Sequence, residues 1–290
     1  MPPSKLIGLA TTAAARDLDE DYAPFAAALA RQGFTAEAPA WDDPAVDWRR
    51  YALVLMRSTW NYTEDIRAFL AWAEHVSAVA RLLNDVATVR WSTDKRYLLE
   101  LERQGVPIVP TVIVPPGGVW SAPASLEFVI KPSVGAGSRG AKRFRASELE
   151  AGRAHAVRLH AAGYATLTQP YLSAVEHSGE TALMYFEGEF SHAIRKGPLL
   201  AAGGGEVPGL FAQETIDPRE PGADELDAAA RAVGAIPGVR PLYARIDLVR
   251  DDAGAPRLLE LELAEPSLFF TQAAGAADRL ARLVAARLAR

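Results

Sequence analysis

Apolar positions follow two rhythms along this chain. In the first third, short apolar runs alternate with longer stretches whose apolar residues recur at helical spacing. Residues 6–9 read as a short strand, 21–32 as a helix ending at Gly33, 34–38 and 51–56 as strands, and 63–80 as an amphipathic helix. Another helix is expected over 93–104, closed by Gly105, then a strand over 107–114 and a Pro/Gly-rich loop at 115–123. Such alternation predicts a parallel sheet with covering helices, whose ligands sit beyond the strands' carboxyl ends. Later the period shortens to two. Residues 128–132 and 141–145 read as an outgoing and a returning strand, 181–194 as a hairpin, and 243–249 with 257–263 as a final pair. The fold class is α/β.

The final pair carries the most chemistry. Alternation puts Arg245 and Asp247 on one face and Glu260 and Glu262 on the matching face of the partner strand. The opposite faces are apolar, with Ile246, Leu248, Leu259, Leu261 and Leu263. Facing carboxylates repel unless something cationic sits between them, so neutralising one is expected to raise stability. Hard oxygen ligands suit Mg²⁺, which commonly bridges to phosphate. A solvated acidic face on a half-exposed hairpin is the alternative.

Three other places add charge. Arg57 follows the third strand and leads into Ser58, Thr59, Trp60, Asn61 and Tyr62, where an arginine fork suits a carboxylate and Trp60 offers a flat wall. The other reading has Trp60 and Tyr62 capping the core. Lys95, in the first turn of its expected helix, opposes the helix dipole, a conflict that an anionic ligand relieves. Lys131 ends a mostly apolar strand, where burial without an anionic partner is costly. Directly after it, Gly135, Gly137 and Gly140 satisfy G-x-G-x-x-G. Pro132 and Ser133 separate strand from glycines, and a strand rather than a helix follows, so a dinucleotide fold does not fit. A Walker A loop fails as well, because Ala141 stands where its lysine belongs. A glycine-rich hairpin tip that covers phosphates with backbone N–H groups remains.

Composition narrows the rest. The 290 residues are 49% hydrophobic and 23% charged, with a net charge of −5, an ordinary globular balance that does not suit nucleic-acid binding. No cysteine is present, which excludes thiolate catalysis and cysteine zinc sites. No apolar run approaches the roughly 20 residues a membrane span needs, and the N-terminus lacks a signal-peptide core, so a cytoplasmic protein without membrane partners is expected. The five histidines show no metal spacing and read mostly as surface residues. No G-x-S-x-G elbow occurs, and Gly203 to Gly205 mark a loop.

In this order the segments resemble the ATP-grasp superfamily, in the branch of D-alanine–D-alanine ligase and glutathione synthetase. The likeness spans essentially the whole chain. It implies a Rossmann-like leading domain at 1–90, a central lid subdomain with the glycine-rich loop at 91–167, and a C-terminal subdomain with the metal hairpin at 168–290. It also implies ATP held by Lys95, Lys131 and the phosphate loop (Ser133, Gly135, Gly137, Ser138, Gly140). Gln169, Tyr171 and Leu172 resemble the adenine hinge, and Glu180 the acid that holds ribose. Asp247, Glu260 and Glu262 resemble the ligands of two Mg²⁺ ions, with Glu262 adding a negative charge where relatives often carry asparagine. Arg57, Ser58, Trp60, Asn61 and Ser267 narrow the likeness to the small branch that contains the D-cycloserine-forming ligase.

The reaction so implied is ATP-dependent carboxylate–amine ligation through an acylphosphate on a small amino-acid-like substrate. Arg245 would stabilise the oxyanion, with Arg195 or Lys196 on the transferred phosphoryl group. A kinase-like ATP-grasp enzyme and a non-catalytic nucleotide-binding regulator are the alternatives. A homo-oligomer is compatible with the resemblance.

Overall fold

The structure, a computed structural model, describes residues 5–200 and 215–289. The expected loop at Gly203 to Gly205 lies outside them. In chain order the strands and helices begin with β1 (Leu6–Thr11), α1 (Tyr22–Arg31), β2 (Thr35–Glu37), β3 (Leu53–Ser58), α2 (Ile66–Val79) and β4 (Arg81–Leu83). Next come α3 (Val86–Ser92), α4 (Tyr97–Arg103), β5 (Val112–Val114), β6 (Glu127–Pro132), β7 (Lys142–Arg145), α5 (Leu149–Ala161) and β8 (Thr166–Pro170). The chain closes with α6 (Val175–Ser178), β9 (Glu180–Phe186), β10 (Glu189–Lys196), β11 (Ile216–Arg219), α7 (Ala223–Gly234), β12 (Tyr243–Arg250), β13 (Pro256–Glu262) and α8 (Ala276–Leu288).

These strands form separate sheets. The leading one is parallel, in the order β2-β1-β3-β4. Its inner strands are buried on both sides, which explains the continuous apolar runs at residues 6–9 and 53–56. One face packs on an aromatic cluster with Trp41, Trp48, Phe69 and Trp72, and α2 supplies the last two. The other face shares a core with the large antiparallel sheet β11-β10-β9-β12-β13. There Ile7, Leu55 and Phe25 meet Met184, Tyr243, Leu268 and Leu280. On the far side of that sheet, α4 and α7 pack through Leu98, Leu101 and Ala229. The remaining sheet, β5-β8-β6-β7, has its own small core of Trp120, Phe128, Phe144 and Ala156 beneath α5.

Several expectations need correction. β3 continues through Arg57 and Ser58, so both lie in the strand rather than after it. The single helix expected over 93–104 is α3 and α4 with a break between them. Lys95 sits in that break, just ahead of α4, where its backbone N–H donates to Ser133 O at 2.8 Å. Of the stretch 107–114 only β5 is a regular strand, and Ile108 adds one bridge to Leu258. The domain boundary drawn after residue 167 falls inside β8. The histidines are less superficial than expected. Only His75 and His177 are exposed, and His155 is buried against Gly140 O at 2.9 Å.

Candidate active site

The β12–β13 ladder pairs Arg245 with Glu262 and Asp247 with Glu260, as their alternation requires. Cations from three other elements reach this face. Lys196 Nζ from β10 lies 2.8 Å from Asp247 and also pairs with Glu180. Lys95 Nζ lies 2.7 Å from Glu260 and donates to Gly135 O at 2.5 Å, and Lys131 from β6 stands 3.8 Å from Glu260. Arg245 donates to Asp247 at 2.8 Å and pairs with Glu262. The carboxylates expected to repel one another are therefore interleaved with cations, and removing one would strand buried positive charge.

Burial and these neighbours decide each protonation state. Burial alone would raise the Asp247 carboxyl, yet Arg245 and Lys196 hold it below the usual range. Glu260 is half-buried, and Lys95 and Lys131 lower it against the effect of desolvation. Burial pushes Glu262 up to about 7 against the pull of Arg245. Burial also lowers Lys131, which Glu260 only partly offsets, whereas Glu260 lifts Lys95 despite its burial. Lys131 is thus the cation least satisfied by protein and the readiest for an incoming anion.

Above this charged floor lies a solvent-open cleft with about 1150 Å³ of empty space, lined by Lys95, Lys131, Lys196, Arg245, Asp247, Glu260 and Glu262. Gly135, Gly137 and Ser138 form one wall, with Gly137 and Ser138 at φ 59° and 60°, a left-handed turn. Gln169, Tyr171, Leu172 and Glu180 form another. The Gln169 side chain is already engaged, donating to Thr111 Oγ1 at 2.9 Å. The Arg143 guanidinium lies 3.4 Å above the Tyr171 ring, whose hydroxyl donates to Glu176 at 2.5 Å. Ser133 and Gly140 brace the loop instead of lining it. Ser133 N–H donates to Ala165 O at 2.9 Å, and Gly140 O accepts from His155. Arg195 falls on the other face of β10, donating to Ser178 O at 2.9 Å and His177 O at 3.2 Å, so Lys196 alone of that pair reaches the cleft.

The residues expected to meet substrate sit at the end of the leading sheet. Arg57 is 2% exposed and pairs with Asp21 at 3.2 Å, so half of the expected fork is taken, while its Nη1 is buried without a partner. Ser58 Oγ donates to Thr11 Oγ1 at 2.7 Å, inside the sheet. Trp60 Nε1 donates to Glu265 O at 3.1 Å. Asn61 accepts from Trp41 Nε1 at 2.6 Å and donates to Asp42 at 2.8 Å. The Ser267 carbonyl lies 3.5 Å from Arg245 Nη1.

The surroundings of three residues were not legible in the sequence. Asp21 accepts from the backbone N–H groups of Leu268, Phe269 and Phe270 at 2.5, 3.2 and 2.8 Å, tying the leading sheet to the loop after β13. Arg139 joins the glycine-rich loop to Glu64 at 2.9 Å, to Trp60 O at 3.1 Å and to Thr63 Oγ1. Glu265 is 6% exposed, and burial together with the Glu262 charge pushes its carboxyl up to about 8.

The family model for the N-terminal domain of D-cycloserine synthetase DcsG matches residues 7–84. The cycloserine biosynthesis protein DcsG of Streptomyces lavendulae is 39% identical over 300 residues, covering 98% of this chain and 99% of that one. This chain belongs to the DcsG family. The crystal structure of D-cycloserine synthetase DcsG superposes with a TM-score of 0.89 at 38% identity, covering 98% of this chain and 99% of the other. D-alanine–D-alanine ligase from Bacillus anthracis gives a TM-score of 0.69 at 14% identity, covering 98% and 97%. The DcsG-family fold is that of the ATP-grasp ligases, and this chain is an ATP-dependent ligase. Among the described residues no helix is long and apolar enough to cross a membrane.

The donor chemistry of Asp247, Glu260 and Glu262 fits Mg²⁺, since all three offer only hard oxygens on facing strands. Their spacing with the cations interposed is not that of a cation cage: no cluster of three or more candidate ligands forms among the described residues.

Proposed function

We propose that this DcsG-family ligase joins a carboxylate to a nitrogen within one small amino-acid derivative, closing the D-cycloserine ring through an acylphosphate. The reading rests on near-complete coverage by a 39% identical cycloserine biosynthesis protein, together with a cleft whose charges suit a nucleotide triphosphate. Lys95, Lys131 and Lys196 would neutralise phosphate oxygens, and the N–H groups of Gly135, Gly137 and Ser138 would cover them. As the lysines turn to phosphate, Asp247, Glu260 and Glu262 become available to Mg²⁺. Bound there, Mg²⁺ would supply charge neutralisation for the phosphate groups. Tyr171, Leu172 and the Gln169 backbone would take the base, and Glu180 the ribose.

Substrate would lie between the charged floor and the Arg57–Asn61 segment. Its carboxylate attacks the γ-phosphorus, and the acylphosphate so formed meets the nitrogen of the same molecule. Arg245, on the cleft face, would hold the oxyanion of the tetrahedral intermediate. Arg57 Nη1 and the Trp60 wall would orient the small body, with Asn61, Ser58 and Ser267 shaping that end. The protein supplies placement and charge and no covalent nucleophile. We further assign the leading subdomain to residues 1–90, the lid to 91–170 and the metal-hairpin subdomain to the remainder.

The test is ADP release with Mg²⁺ across ureido- and aminooxy-amino acids, read together with product mass. One compound should release ADP and phosphate and lose the mass of water on cyclising, with no second amine added. ADP with a stable phosphorylated ligand would instead mark a kinase, and ATP binding without turnover a regulator.

A further inference from the structure

Residues 60–64, which present Trp60 to the proposed substrate, take bonds from all three parts of the molecule. Within the leading subdomain, Asn61 donates to Asp42 at 2.8 Å and accepts from Trp41 Nε1 at 2.6 Å. From the hairpin side, Glu265 O accepts from Trp60 Nε1 at 3.1 Å. From the lid, Tyr164 OH donates to Thr63 O at 3.0 Å. The Arg139 guanidinium adds bonds to Glu64 at 2.9 Å, to Trp60 O at 3.1 Å and to Thr63 Oγ1. The segment's own backbone supplies the local bonds of one short turn, Tyr62 N–H to Thr59 O and Glu64 N–H to Asn61 O, both 2.9 Å. Its position therefore depends on what grips it.

Arg139 is the gripping residue that also belongs to the nucleotide loop. It lines the cleft and directly follows Gly137 and Ser138, whose N–H groups are assigned to phosphate. Two tight turns fix it there: its own N–H donates to Ala136 O at 3.2 Å, and Ala141 N–H donates to Ser138 O at 3.1 Å. Val134 and Ala136, from the same loop, pack on the aromatic cluster that contains Tyr62. A shift of residues 137–138 thus carries Arg139 with it, and a shift of Arg139 pulls on three acceptors in the substrate wall. Holding the guanidinium there leaves its Nε buried without an acceptor among the described residues, which costs stability. Two ligands that order one connected unit bind more tightly together than alone, and the enhancement is the same from either side.

We propose that Arg139 is a positioning residue for ligation: by tying the phosphate loop to residues 60–64, it makes nucleotide and small substrate bind cooperatively. This role rests on the ligation reading above. Arg139 acts through the wall and not on the reacting atoms. Nucleotide that closes the loop sets Trp60 against the substrate, and substrate lying on Trp60 steadies the loop over the phosphates. Neither ligand alone completes the site.

Calorimetry on the full chain tests this, with Mg²⁺, a non-hydrolysable ATP analogue, and either O-amino-D-serine or its carbamoylated ureido form. In wild type, saturating analogue should tighten the small ligand at least about fivefold, and saturating small ligand should tighten the analogue by the same factor. In Arg139→Ala that factor should fall to within about twofold of unity, whereas Arg139→Lys should keep part of it. Thr63→Val removes one acceptor and leaves the loop's sequence intact. It should lower the factor too, and lower it no further when combined with Arg139→Ala. In turnover at saturating ATP, Arg139→Ala should raise KM for the small substrate by the lost factor, with kcat within about threefold. A wild-type factor near unity overturns the proposal, and so does an unchanged factor in Arg139→Ala. Loss of all analogue binding in both Arg139→Ala and Thr63→Val also overturns it, because these contacts would then build the nucleotide site alone. If neither compound binds wild type or releases ADP from ATP, the ligation reading has failed and the proposal falls with it.

Discussion

At the scale of single residues, what matters is which charges have partners. Glu265 keeps its proton up to about pH 8 in the fold, whereas an unfolded glutamate releases it near pH 4.3. Between those limits the folded state carries the extra proton, so Glu265's contribution is full below the lower limit and declines as pH rises through the upper. The slope is at most roughly 1.4 kcal/mol per pH unit. Melting temperatures of wild type and Glu265→Gln from pH 5 to 8 check this: the variant's curve should fall less steeply, and parallel curves would refute the burial argument. Asp247 works the other way. Asp247→Asn should abolish turnover and also destabilise the fold by roughly 3–5 kcal/mol in urea titration, because Arg245 and Lys196 lose their buried partner. The sequence showed these carboxylates on one face because alternation is local. It did not show the interleaved lysines, which arrive from β6, β10 and the α3–α4 break, far away in the chain. The same holds for Arg57, which reads as a free fork until Asp21 is seen beside it.

At the scale of elements, the strands that alternate cleanly were legible and the elements shaped by tertiary bonds were not. β6 with β7 and β12 with β13 were readable from period and turn residues. The break between α3 and α4 was hidden, because Lys95 N–H leaves the helical pattern to reach Ser133 O. A local clue existed in Asp85, whose side chain caps α3 by accepting from Thr88 N–H at 2.8 Å. The end of β3 was misplaced because an arginine within a strand looks like its terminus. The glycine-rich loop shows how far one side chain can matter. Arg139 fastens that loop to Glu64, Trp60 O and Thr63, so Arg139→Ala should leave residues 135–140 open to proteolysis. Affinity for an ATP analogue should drop about tenfold by calorimetry, the worth of a charge-assisted bond. Unchanged cleavage and affinity would show that the loop closes without it.

At the scale of the whole molecule, the chain divides unequally. The leading parallel sheet and the five-stranded sheet share one core through Leu55, Phe25, Tyr243 and Leu280. Asn84 stitches them further, donating to Tyr243 O and Leu263 O at 2.9 and 2.7 Å. The sheet β5-β8-β6-β7 has a small core of its own under α5, shares Leu167 and Ile113 with the core beneath the five-stranded sheet, and meets the rest further through Tyr164 OH, which donates to Thr63 O at 3.0 Å. Hydrogen exchange should therefore be faster at β6 and β7 than at β9 and β12, and an ATP analogue with Mg²⁺ should slow the former pair selectively. Equal protection across both sheets would contradict the division. The sequence implied separate subdomains but not that two of them are fused.

The carboxylate of Asp21, gripped by three successive backbone N–H groups beyond β13, gives that fusion a practical meaning. It riveted the substrate wall to the carboxylate hairpin when the chain folded, so the two are aligned before any ligand arrives. On the proposed reading, the glycine-loop sheet is the part left to adjust to nucleotide, since Asp21 already fixes the other two. Arg57 is on that reading the place to recut for other small acids, because changes around Trp60 also reach the glycine-rich loop through Arg139.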